Sequence, residues 1–155
     1  MKRPTNYWMF RCNPEKYRLD DRLKDSNRLT TWRVNKHCNE ICTGDTAFIW
    51  AGIKGGIRAI LRIDSEPREM PEMEHELPYY VHNQDSGTCL LDSGVRLRVV
   101  ATYIDMDVHL SAAKINEVSV LKCLEVFKGY HQQTNYAVTP SQGETLLGLI
   151  GVKIE

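Results

Sequence analysis

The 155-residue chain has the length of one domain and no formal net charge, with 20 Lys or Arg against 20 Asp or Glu. Hydrophobic residues make up 42% and charged residues 26%, an ordinary globular balance that excludes global disorder. No apolar run approaches the roughly 20 residues of a membrane helix, and residues 1–14 lack the apolar core of a signal peptide. We therefore expect a cytoplasmic protein, or a nuclear one in a eukaryote, with no membrane partner.

The first third of the chain contains two predicted strands. An aromatic-rich run at Asn6–Cys12 ends at the Asn13-Pro14 turn, and a short apolar run at Thr46–Ala51 follows Gly44-Asp45. Between them, Asp20–Lys36 is polar with sparse apolar points, which predicts short helical turns and loops.

A hairpin and a long strand are predicted next. The glycine-rich residues 52–56 predict a turn into a strand at Ile57–Ile63. Further on, Val95–Ile104 alternates, so that Val95, Leu97 and Val99 face one way and Arg96 and Arg98 the other. The intervening residues 64–94 contain three prolines, many acids and no period. This segment predicts an exposed, irregular excursion with one short strand near Tyr79–His82.

Two helices are predicted near the C-terminus. Apolar residues between Ser119 and Phe127 have a helix-like spacing. The second helix has a clearer beginning, because Thr139-Pro140-Ser141-Gln142 combines an N-cap threonine, a proline at the first helical position and a capping-box glutamine. Gly151 ends it.

These elements predict an α+β fold in which short strands form a mixed β-barrel with short peripheral helices. We expect one domain over residues 1–155, with residues 63–94 as an acidic, irregular excursion.

Charge is unevenly distributed along this predicted domain. Residues 1–62 hold thirteen Lys or Arg and six Asp or Glu, whereas residues 63–94 hold one Arg and eight Asp or Glu. If these segments lie apart, the first forms a basic face on a neutral protein; if they pack together, they neutralise each other. The sequence leaves both arrangements open.

The sequence lacks the motifs of common enzymes: it has no glycine-rich phosphate loop, no nucleophile elbow and no His-Glu-x-x-His. Its five cysteines, odd in number and irregularly spaced, predict reduced thiols. His37-Cys38-x3-Cys42 resembles half of a zinc site without a second ligand pair. We therefore expect a non-catalytic protein with no metal or cofactor.

All three tryptophans, Trp8, Trp32 and Trp50, lie in the first 50 residues among interleaved Arg and Lys. Aromatic rings stack on nucleic-acid bases, and basic side chains contact phosphates. Strand alternation would allow Trp8 and Trp50 to face the same side. The alternative, in which all three indoles are core residues, stays open.

Several motifs occur in a specific order. Tyr7-Trp8 and Asn13-Pro14 come first, then Trp32-Arg33-Val34, then Gly44-Asp45-x-x-Phe48-Ile49-Trp50 and Gly55-Gly56-Ile57-x-Ala59. Asn135-Tyr136-x-Val138-Thr139-Pro140 precedes the last helix. This ordered set resembles the EVE domain, a relative of the YTH and PUA domains, over roughly residues 6–150.

The resemblance implies a PUA-like barrel that encloses one flipped or unpaired base of DNA or RNA, a modified base above all, in an aromatic pocket. The base contacts are expected from Tyr7, Trp8, Trp32, Trp50 and Asn35. Phosphate contacts are expected from the basic residues Arg33, Lys36, Lys54 and Arg58. EVE domains are associated with nuclease or ATPase modules, which in this case would be separate partner proteins.

Two other functions stay open. The acidic segment 63–94 is a candidate docking surface for a protein, which would make the chain an adaptor. The chain is also a candidate accessory subunit of an enzyme that processes RNA or DNA.

Overall fold

The computed structural model describes residues 5–52, 55–81, 94–128 and 134–151. Within these ranges eight strands form one sheet. The strands are β1 (Tyr7–Cys12), β2 (Leu29–Arg33), β3 (Thr46–Ala51), β4 (Gly56–Ile63), β5 (Arg68–Met70), β6 (Arg96–Asp105), β7 (Leu110–Ser111) and β8 (Asn135–Val138).

The strand order is β2-β6-β4-β3-β1-β8, with β5 paired to β6 and β7 paired to β4. β1 and β3 run parallel, and the other pairs are antiparallel. The sheet is thus mixed, and it curls into a half-barrel with short helices around it. This confirms the predicted fold class.

Two hydrophobic cores lie on opposite faces of the sheet. The first core contains Trp8, Phe10 and Trp32, and the second contains Phe48 and Trp50. Successive side chains of a strand point to opposite faces, so each central strand contributes to both cores. In β1, for example, Trp8 lies in the first core and Met9 in the second.

The C-terminal helix, Pro140–Ile150, begins and ends as its sequence predicts. The Thr139 hydroxyl accepts a hydrogen bond from the backbone N–H of Gln142, whose side-chain oxygen accepts one from the N–H of Thr139. Gly151 closes the helix in the left-handed conformation, with φ 84°.

The remaining helices are short. They are the α-helices Leu19–Arg22 and Ala112–Asn116 and the 3-10 helices Glu74–Tyr79, Ser119–Leu121 and Glu125–Lys128. The single helix predicted at Ser119–Phe127 is therefore wrong. Leu121 and Leu124 are buried three residues apart, a spacing that repeated 3-10 turns satisfy.

Two other regions differ from the prediction. The polar stretch Asp20–Lys36 contains β2, because Thr30, Thr31 and Trp32 are strand-forming residues that pair with β6. Residues 64–81 are packed rather than an exposed excursion: β5 pairs with β6, Tyr80 forms a β-bridge with Tyr17, and Glu72 and Glu76 are buried. Residues 82–93, the rest of that segment, lie outside the described residues.

Candidate functional site

A cleft of about 400 Å³ opens beside β2, the strand at one end of the sheet order. Its size lies within the range of ligand-binding pockets, roughly 300–1,000 Å³. β2 contributes Thr31, Trp32 and Arg33 to the lining. The opposite wall includes Glu72 and Tyr80, from the segment that the sequence assigns to an irregular excursion.

Three aromatic side chains line this cleft. The indole of Trp32 stacks on Phe10, with ring centroids 6.3 Å apart at 17°, and meets Tyr17 edge-on at 6.2 Å. Tyr17 in turn meets Tyr80 at 5.2 Å and 73°. Trp32 is 9% exposed, so one side of the indole belongs to the first core while its exposed rim faces the cleft.

Glu72 joins the two walls of the cleft through one buried carboxylate. Oε1 accepts hydrogen bonds from the Thr31 hydroxyl and the Met73 backbone N–H. Oε2 accepts from the Tyr80 hydroxyl and from Arg98, whose Nη1 lies 3.1 Å away. Both oxygens thus have two donors, which is the condition for stable burial of a carboxylate.

Glu76 forms a second buried cluster on the other side of β2. It accepts hydrogen bonds from the hydroxyls of Tyr17 and Thr30 and pairs with Arg22 at 2.9 Å. Thr30 and Thr31 are consecutive strand residues and point to opposite faces. Residues 72–80 therefore cover both sides of β2 and protect an edge strand.

These clusters determine the protonation of the cleft tyrosines. Burial and then the Glu76 carboxylate raise the pKa of Tyr17, and burial and then Glu72 raise the pKa of Tyr80. Both phenols therefore stay neutral at physiological pH and can donate hydrogen bonds.

Asn135, in β8, anchors the rim of the cleft. Its side-chain oxygen accepts from the backbone N–H groups of Asn35 and Lys36, at 2.9 and 3.1 Å, and its amide donates to the carbonyl of Lys36. The Asn35 side-chain oxygen accepts from the N–H and hydroxyl of Thr134, both at 3.1 Å. Asn35 is thereby fixed beside Trp32.

Arg11, Lys16 and Arg33 also line the cleft. Arg98 lines it too, but its charge faces Glu72. The three cationic side chains at the rim favour an anionic ligand.

Of the predicted base-binding residues, the structure brings only Trp32 and Asn35 into this cleft. The indole N–H of Trp8 donates to Asp45 at 2.9 Å in the interior, where the same carboxylate also accepts from the N–H of Cys42. Asp45 is 1% exposed and accepts hydrogen bonds from both Trp8 and Cys42, so the Gly44-Asp45 motif has a structural role.

Trp50 and Tyr7 lie on the opposite face of the sheet. Trp50 packs edge-on against Phe127 at 5.3 Å, and Tyr7 stacks on Phe48 at 6.3 Å. The reason is the register of the parallel pair β1–β3, in which Trp8 is opposite Ala47 and Arg11 is opposite Trp50. This register points Trp8 and Trp50 to different faces, and the sequence does not reveal it.

Among the predicted phosphate-binding residues, Arg33 lines the cleft. Lys36 is exposed near the rim without lining the cleft, and Arg58 forms an ion pair with Asp20 instead. Lys54 lies outside the described residues.

Sequence reasoning missed most of the second wall. Tyr17, Tyr80, Glu72 and Arg98 reach the cleft only through long-range packing. One usable signal is Arg98, a charged residue directly before the uncharged run of residues 99–104 in β6. Arg98 is 1% exposed, and a buried arginine requires a carboxylate partner from elsewhere in the chain.

The family model described as the EVE domain matches residues 6–149. This chain belongs to the EVE domain family. No curated protein sequence matches this EVE domain significantly.

Solved structures share the fold of this EVE domain at low sequence identity. A hypothetical protein from Leishmania major has a TM-score of 0.63 at 13% identity, with 96% of each chain covered. Rpa0253 from Rhodopseudomonas palustris has a TM-score of 0.62 at 17% identity, with 97% of each chain covered. Human THYN1 protein, in complex with DNA containing 5-methylcytosine, has a TM-score of 0.61 at 16% identity over 97% of this chain and 100% of that one.

Other features of this EVE domain concern metals and membranes. Cys12, Cys38, Cys42 and Cys123 are free thiols, and Cys89 lies outside the described residues. Across the described ranges, no three or more His, Cys, Asp or Glu side chains are grouped to hold a metal ion. Nor does any helix there have the length and apolarity to span a membrane.

Proposed function

We propose that this EVE domain binds nucleic acid by taking one unpaired or flipped base, preferentially a methylated one, into the cleft beside Trp32. The observation that carries the proposal is the combination of an aromatic wall with Arg11, Lys16 and Arg33 around one cavity of suitable size. Aromatic rings provide surface for a base, and the cations provide contacts for its phosphates.

The energetics favour a base that is already unpaired. Stacking on a protein aromatic ring contributes about 1–3 kcal/mol per base, and burying one methyl group contributes about 0.8 kcal/mol more. Removing a base from a duplex costs a few kcal/mol, and less where the base is single-stranded or mismatched. Single strands and damaged sites are therefore the preferred targets.

The polar groups of the cleft can read the edge of the base. The neutral hydroxyls of Tyr17 and Tyr80 and the fixed side chain of Asn35 stand around the aromatic wall. Tyr17 and Tyr80 donate their protons to Glu76 and Glu72, so their phenol oxygens are left to accept a hydrogen bond from an N–H on the edge of the base.

The family and one structural relative support a nucleic-acid ligand. This chain is an EVE domain, and the human THYN1 protein of the same fold is seen with DNA that contains 5-methylcytosine. 5-Methylcytosine is therefore the first modified base to test here.

The titratable groups of the cleft favour binding without catalysis. Burial raises the pKa of the Cys12 thiol to about 12, so it is not a nucleophile at neutral pH. Both oxygens of Glu72 are occupied by donors, which leaves that carboxylate poorly placed to accept a proton from a substrate. Any cleavage or remodelling that follows binding would come from a separate nuclease or ATPase.

The test is a titration of labelled single-stranded and duplex oligonucleotides, DNA and RNA, each with one cytosine or 5-methylcytosine, followed by fluorescence anisotropy at fixed salt. We expect the methylated single strand to bind most tightly. Trp32→Leu should weaken binding about tenfold or more through the lost stacking surface. Trp50→Leu, a change of the same size on the opposite face, should leave the affinity unchanged.

A second matched pair tests the cations. Lys16→Ala should weaken binding and reduce its salt dependence, whereas Lys24→Ala, an exposed lysine outside the cleft lining, should not. The proposal fails if folded wild-type protein binds none of the oligonucleotides, or if Trp32→Leu and Trp50→Leu bind equally well.

A further inference from the structure

Four arginines lie close together on three neighbouring strands, beginning at the wall of the cleft. Arg33 in β2 is directly opposite Arg98 in β6, and Arg98 is directly opposite Arg68 in β5. Paired residues of adjacent strands point to the same face of a sheet, so these three form one row. Arg96, two residues before Arg98, lies on that face as well. We call these four residues the arginine row.

The arginine row brings four positive charges to one face of the sheet. Like charges placed directly opposite each other on a sheet are destabilising. The buried carboxylate of Glu72 compensates Arg98 at 3.1 Å. Within the described ranges, neither Arg68 nor Arg96 forms an ion pair, and the side chain of Glu69 in β5 points to the other face, opposite Leu97.

The position of the row relative to the cleft suggests what it binds. Arg33 and Arg98 line the cleft, and Arg68 is exposed on the next strand beyond them. Adjacent strands lie about 4.8 Å apart. The backbones at Arg33 and Arg68, which are two strands apart, are therefore separated by about 10 Å. Guanidinium groups bind phosphate with two parallel hydrogen bonds, which makes a spaced set of arginines suited to successive phosphodiesters.

We propose that the arginine row holds the phosphodiester backbone next to the bound base, so that the nucleic-acid strand leaves the cleft across β2, β6 and β5. Arg68 and Arg96 contact phosphates beyond the nucleotide in the cleft. This inference rests on the proposed function and adds the direction of the strand to it.

The test measures the salt dependence of binding for a single strand of about 12 nucleotides with one central 5-methylcytosine. The double variant Arg68→Ala/Arg96→Ala is compared with the wild type and with Lys114→Ala/Lys122→Ala, which removes two exposed charges outside the sheet and the cleft lining. Loss of two phosphate contacts should make the negative slope of log K against log salt less steep by about 1.4, since each contact to a single strand contributes about −0.7. Quenching of tryptophan fluorescence at saturating strand should persist, because the base still enters the cleft.

The outcomes separate this inference from the proposed function. An unchanged slope in Arg68→Ala/Arg96→Ala, or an equal loss in the lysine control, overturns the arginine row while binding in the cleft stands. If the wild-type protein binds no strand at all, the proposed function falls and the inference falls with it.

Discussion

At the scale of single residues, Glu72 is the side chain on which the geometry of the cleft depends most. Its carboxylate links β2 through Thr31, β6 through Arg98 and the opposite wall through Tyr80. It is 3% exposed at the side chain, and Arg98 is 1% exposed. A buried ion pair of this kind is costly to break from one side, because the remaining charge keeps its desolvation cost and loses its buried counter-charge.

We predict that Glu72→Gln lowers the free energy of unfolding by about 3 kcal/mol, since it removes the charge of the carboxylate that pairs with the buried guanidinium of Arg98. Urea unfolding measures the change. The control is Glu69→Gln in the same segment, where the side chain is exposed and an effect within about 0.5 kcal/mol is expected. Equal stability of the two variants would mean that Glu72 does not hold the walls together.

The candidate site could be predicted only in part from its residues. The resemblance and the aromatic composition pointed to Trp32, Asn35 and Arg33, which the structure gathers at one cleft. Trp8 and Trp50 are also tryptophans close to basic residues in the sequence, but Trp8 lies in the first core and Trp50 in the second. An indole in a strand looks alike in the sequence whether it faces a core or a cleft, because the choice depends on the register with a distant strand.

At the scale of elements, the contact between β1 and the C-terminal helix depends on a glycine. Gly143 is buried in the first turns of the helix, and a Cβ built there would overlap the ring of Tyr7. Gly148, in the same helix, is exposed and has open space where its Cβ would be. The two positions share a helical backbone and differ in their surroundings.

Alanine at these two glycines should therefore have opposite effects. Gly148→Ala should raise the free energy of unfolding by up to about 1 kcal/mol, the gain in helix propensity. Gly143→Ala should lower it despite the same gain, since the helix must shift away from Tyr7. Thermal or urea unfolding gives both values, and stabilisation by both substitutions would show that the helix does not pack closely on β1.

Local chemistry explains which elements the sequence revealed. The C-terminal helix carries its own capping box and terminal glycine, and β1 and β3 are aromatic or apolar runs bounded by turn residues. β2 and residues 68–80 lack such local signals. They are fixed by pairing with β6 and by the buried clusters of Glu72 and Glu76, which involve residues up to 59 positions away.

At the scale of the whole molecule, packing neutralises part of the charge asymmetry. Glu76 of the acidic segment pairs with Arg22 of the basic first third, and Glu72 pairs with Arg98. These pairs consume acidic charge in the interior rather than present it for docking. Glu72 and Glu76 are therefore not available for docking a protein partner.

The half-buried Tyr17 and Tyr80 and the buried Tyr103 predict a loss of stability at alkaline pH. Burial is the largest cause that raises the pKa of Tyr17, Tyr80 and Tyr103 above the ordinary value of 10.0. The stability from these neutral phenols is complete below pH 10 and is lost as pH rises, because the unfolded chain releases their protons first.

Urea unfolding between about pH 9 and 11 should show this loss, with a slope that approaches about 1.4 kcal/mol per pH unit for each phenol. Tyr80→Phe should remove the contribution of one phenol from this slope. A free energy of unfolding that stays constant through this range would contradict the raised pKa values of these tyrosines in the folded protein.

The most direct measurement for the central claim uses the three indole N–H signals of the protein, resolved in a ¹⁵N–¹H NMR spectrum and assigned with Trp→Phe variants. During titration with a single strand that contains 5-methylcytosine, we predict a large, saturable shift of the Trp32 signal. The Trp50 signal should stay in place, because that indole packs against Phe127 on the opposite face. A strand that binds while the Trp32 signal remains fixed, or that moves Trp50 instead, would contradict base recognition in this cleft.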